Sequence, residues 1–375
     1  MSIRQRVVPA LAGLVVAFPC LAQGVVSVFG DISYGQGAVP SGLTDAVHVG
    51  ACRRTVAAVR VDGTIIAWGY DVNGEVSSVP APPTGQVFTK VFGGWGFTLF
   101  GLTNQGRLLS WGRNSVGQAD VAPLPPGRTY TQAAASFFMG GGLRDDGSIV
   151  MWGASQPTFN EAQRTQLLSV PYIAPSLRWS DFGIGYDYTL GLRSDGQVIG
   201  WGLDYWYGTS FVPTLPSGMR YTALSHAGTF AVALRSDGAL VAWGDDYFGQ
   251  ASGAPPEPTE GASWTAVHAG ADHAFARDSS GAWFAWGTNF DGESDVSQVP
   301  SGVMQFVAVG DSNVVLHAPD CFGDLDGSRE VDGGDVAFAL LDYGPCPGCA
   351  GDVDGSGEAD FGDVALILLS MGPCG

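Results

Sequence analysis

Along the chain, runs of alternating apolar and polar positions end repeatedly in Trp-Gly, at Trp68, Trp111, Trp152, Trp201, Trp243 and Trp286. Phe29-Gly30 makes a seventh such ending. The runs read "VRVDGTIIAWG", "LTNQGRLLSWG", "LRDDGSIVMWG", "LRSDGQVIGWG", "LRSDGALVAWG" and "RDSSGAWFAWG". Period-2 alternation on both sides of a tight polar turn predicts a β-hairpin in each. The Asp-Gly pairs beginning at Asp62, Asp146, Asp195 and Asp237 supply the positive φ that two-residue hairpin turns need. After each Trp-Gly comes a polar-aromatic loop, often ending in Gly-Gln or Gly-Glu. Pro-rich connections such as "VPAPPTG" follow, where an unpaired backbone tolerates proline.

The strand before the turn also occurs seven times, around 56–60, 98–103, 139–144, 189–193, 231–235, 274–277 and 313–317. The last copy has no Trp-Gly strand after it. The strand at 25–30 has no hairpin before it. Pairing these two orphans closes a ring and removes both exposed sheet edges. A unit of about 40 residues is of propeller-blade length. The expected fold class is therefore all-β, a seven-bladed β-propeller over 23–318 whose N-terminal strand closes the last blade. Between Trp152 and Trp201 an insertion, "ASQPTFNEAQRTQLLSVPYIAPSLRWSDF", replaces the Gly-Gln loop and predicts a local helix or extended loop.

The repeat "ALRSDGALVAWGDDYFGQ", with the segment "VHAGADHAF", resembles the repeats named after the regulator of chromosome condensation. The short Pro-terminated loops are most similar to secreted bacterial members, among them a propeller-type β-lactamase inhibitor protein. That resemblance implies seven blades, while the family's nuclear nucleotide-exchange role does not carry over to an acidic chain expected to be exported. By analogy alone it implies inhibition of a secreted enzyme.

From Pro319 the composition changes, and 319–375 reads as a second, duplicated module: Cys321 returns at Cys349, Asp324 at Asp352 and Cys346 at Cys374. In the first copy Asp324, Asp326, Ser328, Asp332 and Asp335 stand at positions 1, 3, 5, 9 and 12 of a calcium loop, with Glu330 offering its backbone carbonyl at position 7. The second copy repeats the set with Asp352, Asp354, Ser356, Asp360 and Asp363, and Glu358 at position 7. Alternating acids on a tight loop bring several hard oxygens to one centre, as Ca²⁺ requires, so two Ca²⁺ sites are expected. Each loop runs into an apolar segment of helical character, "DVAFALLDYG" and "DVALILLSMG". A loop–helix unit with Asp at position 12 resembles a type I dockerin, which implies a small α-helical calcium-loop module and a cohesin-like receptor. Arg329 stands where the family has Gly, and Gly333-Gly334 and Phe361-Gly362 stand where it has hydroxyl residues. Calcium is therefore the firmer implication. The four tail cysteines allow three pairings, and the duplication favours Cys321–Cys346 with Cys349–Cys374. Cys52 reads as a buried strand-edge thiol.

Charge and composition narrow the partners. Lys+Arg 17 against Asp+Glu 36 gives a net charge of -19, which repels nucleic acid and anionic lipid. The opening "MSIRQRVVPALAGLVVAFPCLAQG" has a basic start, a short apolar run and a small-residue end, so 1–22 is expected to be a signal peptide and the protein secreted or at the cell surface. No segment has the roughly 18 apolar residues of a membrane span. A monomer is expected.

No nucleophile–base pair or metal-binding helix motif stands out, so no enzyme activity is expected. His48, His226, His268, His273 and His317 lie at repeat strands, and Asp31, Asp71, Asp204, Asp245, Asp246 and Asp291 suit loop turns. If the Asp-Gly turns occupy one end of the blades, the remaining loops share the other. That end would gather Tyr34, Tyr70, Trp95, Phe137, Tyr186, Tyr205, Trp206, Tyr207, Tyr247, Phe248 and Phe290, a face for a protein partner or, as the alternative, for binding or degrading an extracellular polysaccharide. For the tail, calorimetric titration of the full chain is expected to show two Ca²⁺ sites, both lost in the Asp324→Ala/Asp352→Ala variant. Heat-silent titration of the intact chain would refute the assignment.

Overall fold

The computed structural model describes residues 24–318 apart from 205–206, and four two-residue strands in the tail. Seven three-stranded antiparallel sheets form the first part. Blade 1 is Ala46–Cys52, Thr55–Arg60 and Ile65–Gly69; blade 2 is Phe88–Phe92, Thr98–Thr103 and Leu108–Gly112; blade 3 is Tyr130–Ala135, Met139–Arg144 and Ile149–Gly153. Blade 4 is Trp179–Ile184, Tyr188–Arg193 and Val198–Gly202; blade 5 is Tyr221–Ala227, Phe230–Arg235 and Leu240–Gly244; blade 6 is His273–Asp278 between Trp264–Ala269 and Trp283–Gly287. Blade 7 is assembled from both ends of the propeller: Val303–Val309 and Ser312–His317, with Val25–Gly30 on the outside. Val25 pairs with His317 and Gly30 with Ser312, so the expected closure is present.

The hairpins fall where the alternation placed them. The innermost strand of each blade was not anticipated. Each of these strands carries a one-residue register shift after its first position, as between Ala46 and His48 or Trp179 and Asp181. Such a bulge sharpens the local twist, and it recurs in all seven sheets.

Packing follows from the period of two. Middle strands are buried on both faces, and successive residues enter different blade interfaces. Val56 and Ala58 pack toward blade 7 with Val314 and Leu316, whereas Ala57 and Val59 pack toward blade 2 with Phe88 and Val91. Seven apolar clusters result, one at each interface. Six contain the Trp of a Trp-Gly pair; the seventh contains Phe29, edge-on to Phe275 at 6.0 Å and to Phe306 at 6.3 Å.

The Trp has a second task. Indole N–H groups donate to a carbonyl in the loop of the preceding blade: Trp68 to Gln36 (2.7 Å), Trp111 to Glu75 (2.9 Å), Trp152 to Gln118 (2.9 Å), Trp243 to Thr209 (2.7 Å) and Trp286 to Gln250 (2.8 Å). These acceptors are the residues after the loop glycine, which explains the recurrent Gly-Gln. The glycine after the Trp is equally constrained. Gly69 has φ +109°, and a Cβ there would lie 2.6 Å from the Arg54 carbonyl. In blade 7 Phe29 offers no indole, and the Asn313 side-chain amide donates to the Glu293 carbonyl instead (2.8 Å).

The insertion departs from this scheme. It contains a helix, Glu161–Leu168, whose N-cap Asn160 forms a reciprocal capping box with Gln163. Leu167 is fully buried with Trp179 and Trp201, so the helix fills the space of the missing Gly-Gln loop rather than decorating a blade. It supplies no carbonyl to Trp201, whose buried indole N–H lacks a partner.

In the tail, Glu330–Val331 pairs antiparallel with Gly372–Pro373, and Gly344–Pro345 with Glu358–Ala359. The two pairings are equivalent under the duplication, so each copy's loop segment pairs with the end of the other copy. The expected helices, cysteines and remaining calcium ligands, like the signal peptide, lie outside the described residues.

Trp243→Phe leaves the Thr209 carbonyl buried and unpaired and is expected to cost about 1–3 kcal/mol. Trp201→Phe, which breaks no such bond, is expected to cost less than about 1 kcal/mol. Thermal unfolding of both variants checks this; equal losses would contradict it.

Candidate recognition face

Pairing registers put two sets of loops at the same end. Thr55 faces Gly69 and Thr98 faces Gly112, so the loop from inner to middle strand emerges beside the loop after Trp-Gly. The Asp-Gly turns occupy the opposite end. There Arg60 pairs with Asp45 (3.0 Å), Arg193 with Asp195 (2.5 Å) and Arg235 with Asp237 (2.8 Å). That end is a set of solvated ion pairs, of little energetic weight.

The loop end carries aromatic side chains. Tyr34 stands edge-on to Tyr70 (5.9 Å), Tyr70 meets Phe97 (5.5 Å), Phe97 meets Phe137 (5.4 Å) and Phe137 meets Tyr186 (5.9 Å). A continuous arc thus crosses from the closing strand's loop to blade 4. A second cluster joins Tyr247, Phe248 and Phe290, at 4.7 and 5.8 Å. Tyr247 is 83% and Phe290 81% exposed. Tyr70, Trp95 and Phe137 are only half-exposed, since they pack within the arc. Tyr205 and Trp206 lie outside the described residues.

Three arginines complete the arc, and the aromatic pattern gave no sign of them. The Arg54 guanidinium lies 3.8 Å from the Tyr34 ring centroid. Arg53 lies 4.9 Å from Trp95 and 5.6 Å from Phe137, and Arg113 5.8 Å from Phe137. The signal was present in sequence as Arg53-Arg54, directly before a middle strand. Phe97, Phe138 and the exposed Ile32, Val72 and Phe211 also belong to this end and were missed.

The loop acids act as turn formers. Asp71 Oδ1 accepts from the Val76 and Ser77 N–H groups, and Asp246 Oδ1 from those of Ala251 and Ser252. Backbone donation holds both carboxyls below the usual range, chiefly through Ser77 and Ser252 respectively. Asp31, Asp204 and Asp245 each accept a backbone N–H in the same way. Asp272 differs: burial first, then the charges of Asp311, Asp245 and Glu293, push it up to about 6. Among the described residues no group of three or more His, Cys, Asp or Glu side chains could hold a metal ion.

The axis of the ring is narrow. A cavity of about 250 Å³ is lined by inner-strand residues including His48, Ala134, His226 and Gln305. Side chains here satisfy the free edges of neighbouring inner strands. The Gln305 amide accepts from Val49 N–H (2.9 Å) and donates to the Val49 carbonyl (2.8 Å), while Ala269 N–H donates to Ser225 (2.9 Å). Three histidines are tied into the packing. His273 bonds Asn313 (2.9 Å), His317 bonds Ser27 across the closing strand (2.9 Å), and His268 packs tilted against Phe306 (4.9 Å). Cys52 is buried, and burial pushes its thiol up to about 12. Among the described residues no helix is long and apolar enough to cross a membrane.

The sequence profile of the regulator of chromosome condensation (RCC1) repeat matches residues 88–118, which is blade 2 with its loop through Gln118. No curated protein matches the chain. Among solved structures it is similar to human WBSCR16, at 16% identity and TM-score 0.63, covering 79% of this chain and 99% of that one. Prp20p from Saccharomyces cerevisiae, in a structure reported with its binding properties to Gsp1p and histones, is 14% identical with TM-score 0.61, covering 80% and 92%. The ectodomain of the Physcomitrella patens receptor kinase CR4 is 19% identical with TM-score 0.51, covering 70% and 68%.

Burial holds His48, His226 and His268 to about 4, with Lys90 adding to the effect at His48. They are neutral in the fold, while an unfolded chain takes up protons below about 6.5. Stability is thus lost as pH falls from about 6.5 toward 4, partly offset by Asp272, Asp311 and Asp181, whose pKa values burial raises. The melting temperature is expected to decline over that window, and less steeply in His268→Phe; parallel profiles would contradict this. The protein is thus a seven-bladed β-propeller, closed by its N-terminal strand, with a second blade that matches the RCC1 repeat.

Proposed function

We propose that this is an exported, non-enzymatic recognition protein. Its propeller binds a protein partner through the aromatic–arginine loop face, and its calcium-loaded, dockerin-like tail attaches it to a larger assembly. The carrying observation is the asymmetry of the two ends. One presents a continuous aromatic arc with three arginines, the other Arg–Asp pairs at its turns. Aromatics and arginine are the side chains enriched at the centres of protein interfaces. Prp20p, of the same fold, is a protein binder by the description of its structure.

The geometry favours protein over polysaccharide. Sugar rings stack on open, flat aromatic faces, whereas here Tyr34, Tyr70, Phe97, Phe137 and Tyr186 stand mostly edge-to-face, at interplanar angles such as 86° and 77°. The Arg54 guanidinium also covers the Tyr34 ring at 3.8 Å, and Arg53 lies 5.6 Å from that of Phe137. Export and the calcium-dependent attachment rest on the sequence motifs at 1–22 and 319–375.

Capture from the native secretome with the full chain, its Tyr247→Ala/Phe290→Ala variant and a hairpin-end control, Asp195→Asn/Asp237→Asn, tests the reading. The loop-face variant is expected to lose the partner by at least about tenfold, in line with truncation of interface aromatics. The control should retain it. Loss in the control alone, or tight glycan-array binding that needs Tyr247 and Phe290, would overturn it.

A further inference from the structure

Within the loop face, above the axis, lies a cavity of about 710 Å³ whose walls include Arg53, Arg113, Trp95, Phe137, Tyr186 and Tyr207. Trp95 lines both this cavity and the axial one. The ring reaches from the loop of blade 2 to that of blade 5. There Gly228, at φ +56°, lies against it, and a Cβ would come within 3.4 Å of three indole carbons.

The charges of this cavity are unusual for a chain of net charge -19. Neither Arg53 nor Arg113 takes part in an ion pair among the described residues. Both guanidinium groups are instead held against aromatic rings, and Arg53 Nε is buried with no hydrogen-bond partner. Arg113 Nε donates only to Ser115 (3.0 Å). The carboxylates nearest in effect, Asp272 and Asp311, stand on the loops of blades 6 and 7; burial raises both, the Arg53 charge draws both partly back, and neither comes within ion-pair distance of it. Planar cations fixed on aromatic walls, with unused donors, match a carboxylate flanked by apolar surface.

Building on the protein-binding reading above, we infer that this cavity receives an acidic side chain, Asp or Glu, carried next to an apolar residue on an inserted loop of the partner. A polysaccharide bearing carboxylates is the poorer fit. A sugar ring needs an open aromatic face to stack on, and here Phe137 and Tyr186 meet edge-to-face, at 60°.

The probe is a randomised peptide library selected on the full-length protein. Selected peptides are resynthesised, capped at both ends, together with their Asp→Asn or Glu→Gln counterparts. Selection of Asp or Glu beside an apolar residue is expected. Affinity should drop at least about tenfold on amidation of the acid, and similarly in Arg53→Gln and Arg113→Gln, as loss of a charge-assisted bond implies. Arg53→Lys should recover part of it, and added salt should weaken binding. Melting temperatures of the variants report their folding. Peptides without acidic preference, unchanged affinity in both Gln variants, or binding of oligogalacturonate in place of peptides would overturn the inference. Peptides that bind without acidic preference but depend on Tyr247 and Phe290 would sink this inference alone. If no peptide depends on the loop face at all, the protein-binding reading fails with it.

Discussion

Each blade of this molecule is too thin to keep a core of its own, and the whole fold depends on the bond made between one blade and the next. Its polar half is an indole N–H reaching a carbonyl in the loop of the preceding blade; its apolar half is the burial of that indole against the neighbour's middle strand. The hydrogen bond contributes about 1 kcal/mol and the buried ring a few more, so no single junction is decisive. What matters is that the junctions form a closed series. An interrupted series leaves one apolar blade face and one sheet edge in water, and the chain avoids this by returning Val25–Gly30 to blade 7.

The same constraint produces the recognition face. Because the loops after Trp-Gly must carry the carbonyls that the next Trp needs, they are held in fixed turns by Asx bonds and by the buried Gln or Glu side chains. Rigid loops let Tyr34, Tyr70, Tyr247 and Phe290 be presented with little loss of entropy on binding. The inner loops carry Arg53, Arg54 and Trp95 to the axis. Structure and recognition therefore share residues: Gln36 accepts the Trp68 indole through its carbonyl and fixes the Tyr34 backbone through its side chain.

The hairpins, the count of seven and the closing strand were legible because period-2 alternation, Asp-Gly turns and Trp-Gly endings are local signals repeated many times. The inner strands were less so. "FTKVF" and "YTQAAA" are short, and their bulges break the alternation, leaving the neighbouring Thr89 and Lys90 both exposed in the first. For the face, the aromatic residues could be placed from topology alone. Their pairing with Arg53, Arg54 and Arg113 could not, since it depends on contacts between blades distant in sequence. The helix at Glu161–Leu168 was foreseeable as an insertion, but not its burial of Leu167 or the unpaired Trp201 indole that results.

Binding by the loop end rather than the hairpin end is the claim on which the functional account rests. Hydrogen–deuterium exchange of the full chain, alone and with the partner recovered from the secretome, tests it most directly. Protection is expected in the loops at 31–38, 70–77, 93–97, 136–138, 185–187, 245–252 and 289–294, with the turns at 61–64, 145–148, 194–197 and 236–239 unchanged. Protection confined to those turns would contradict it.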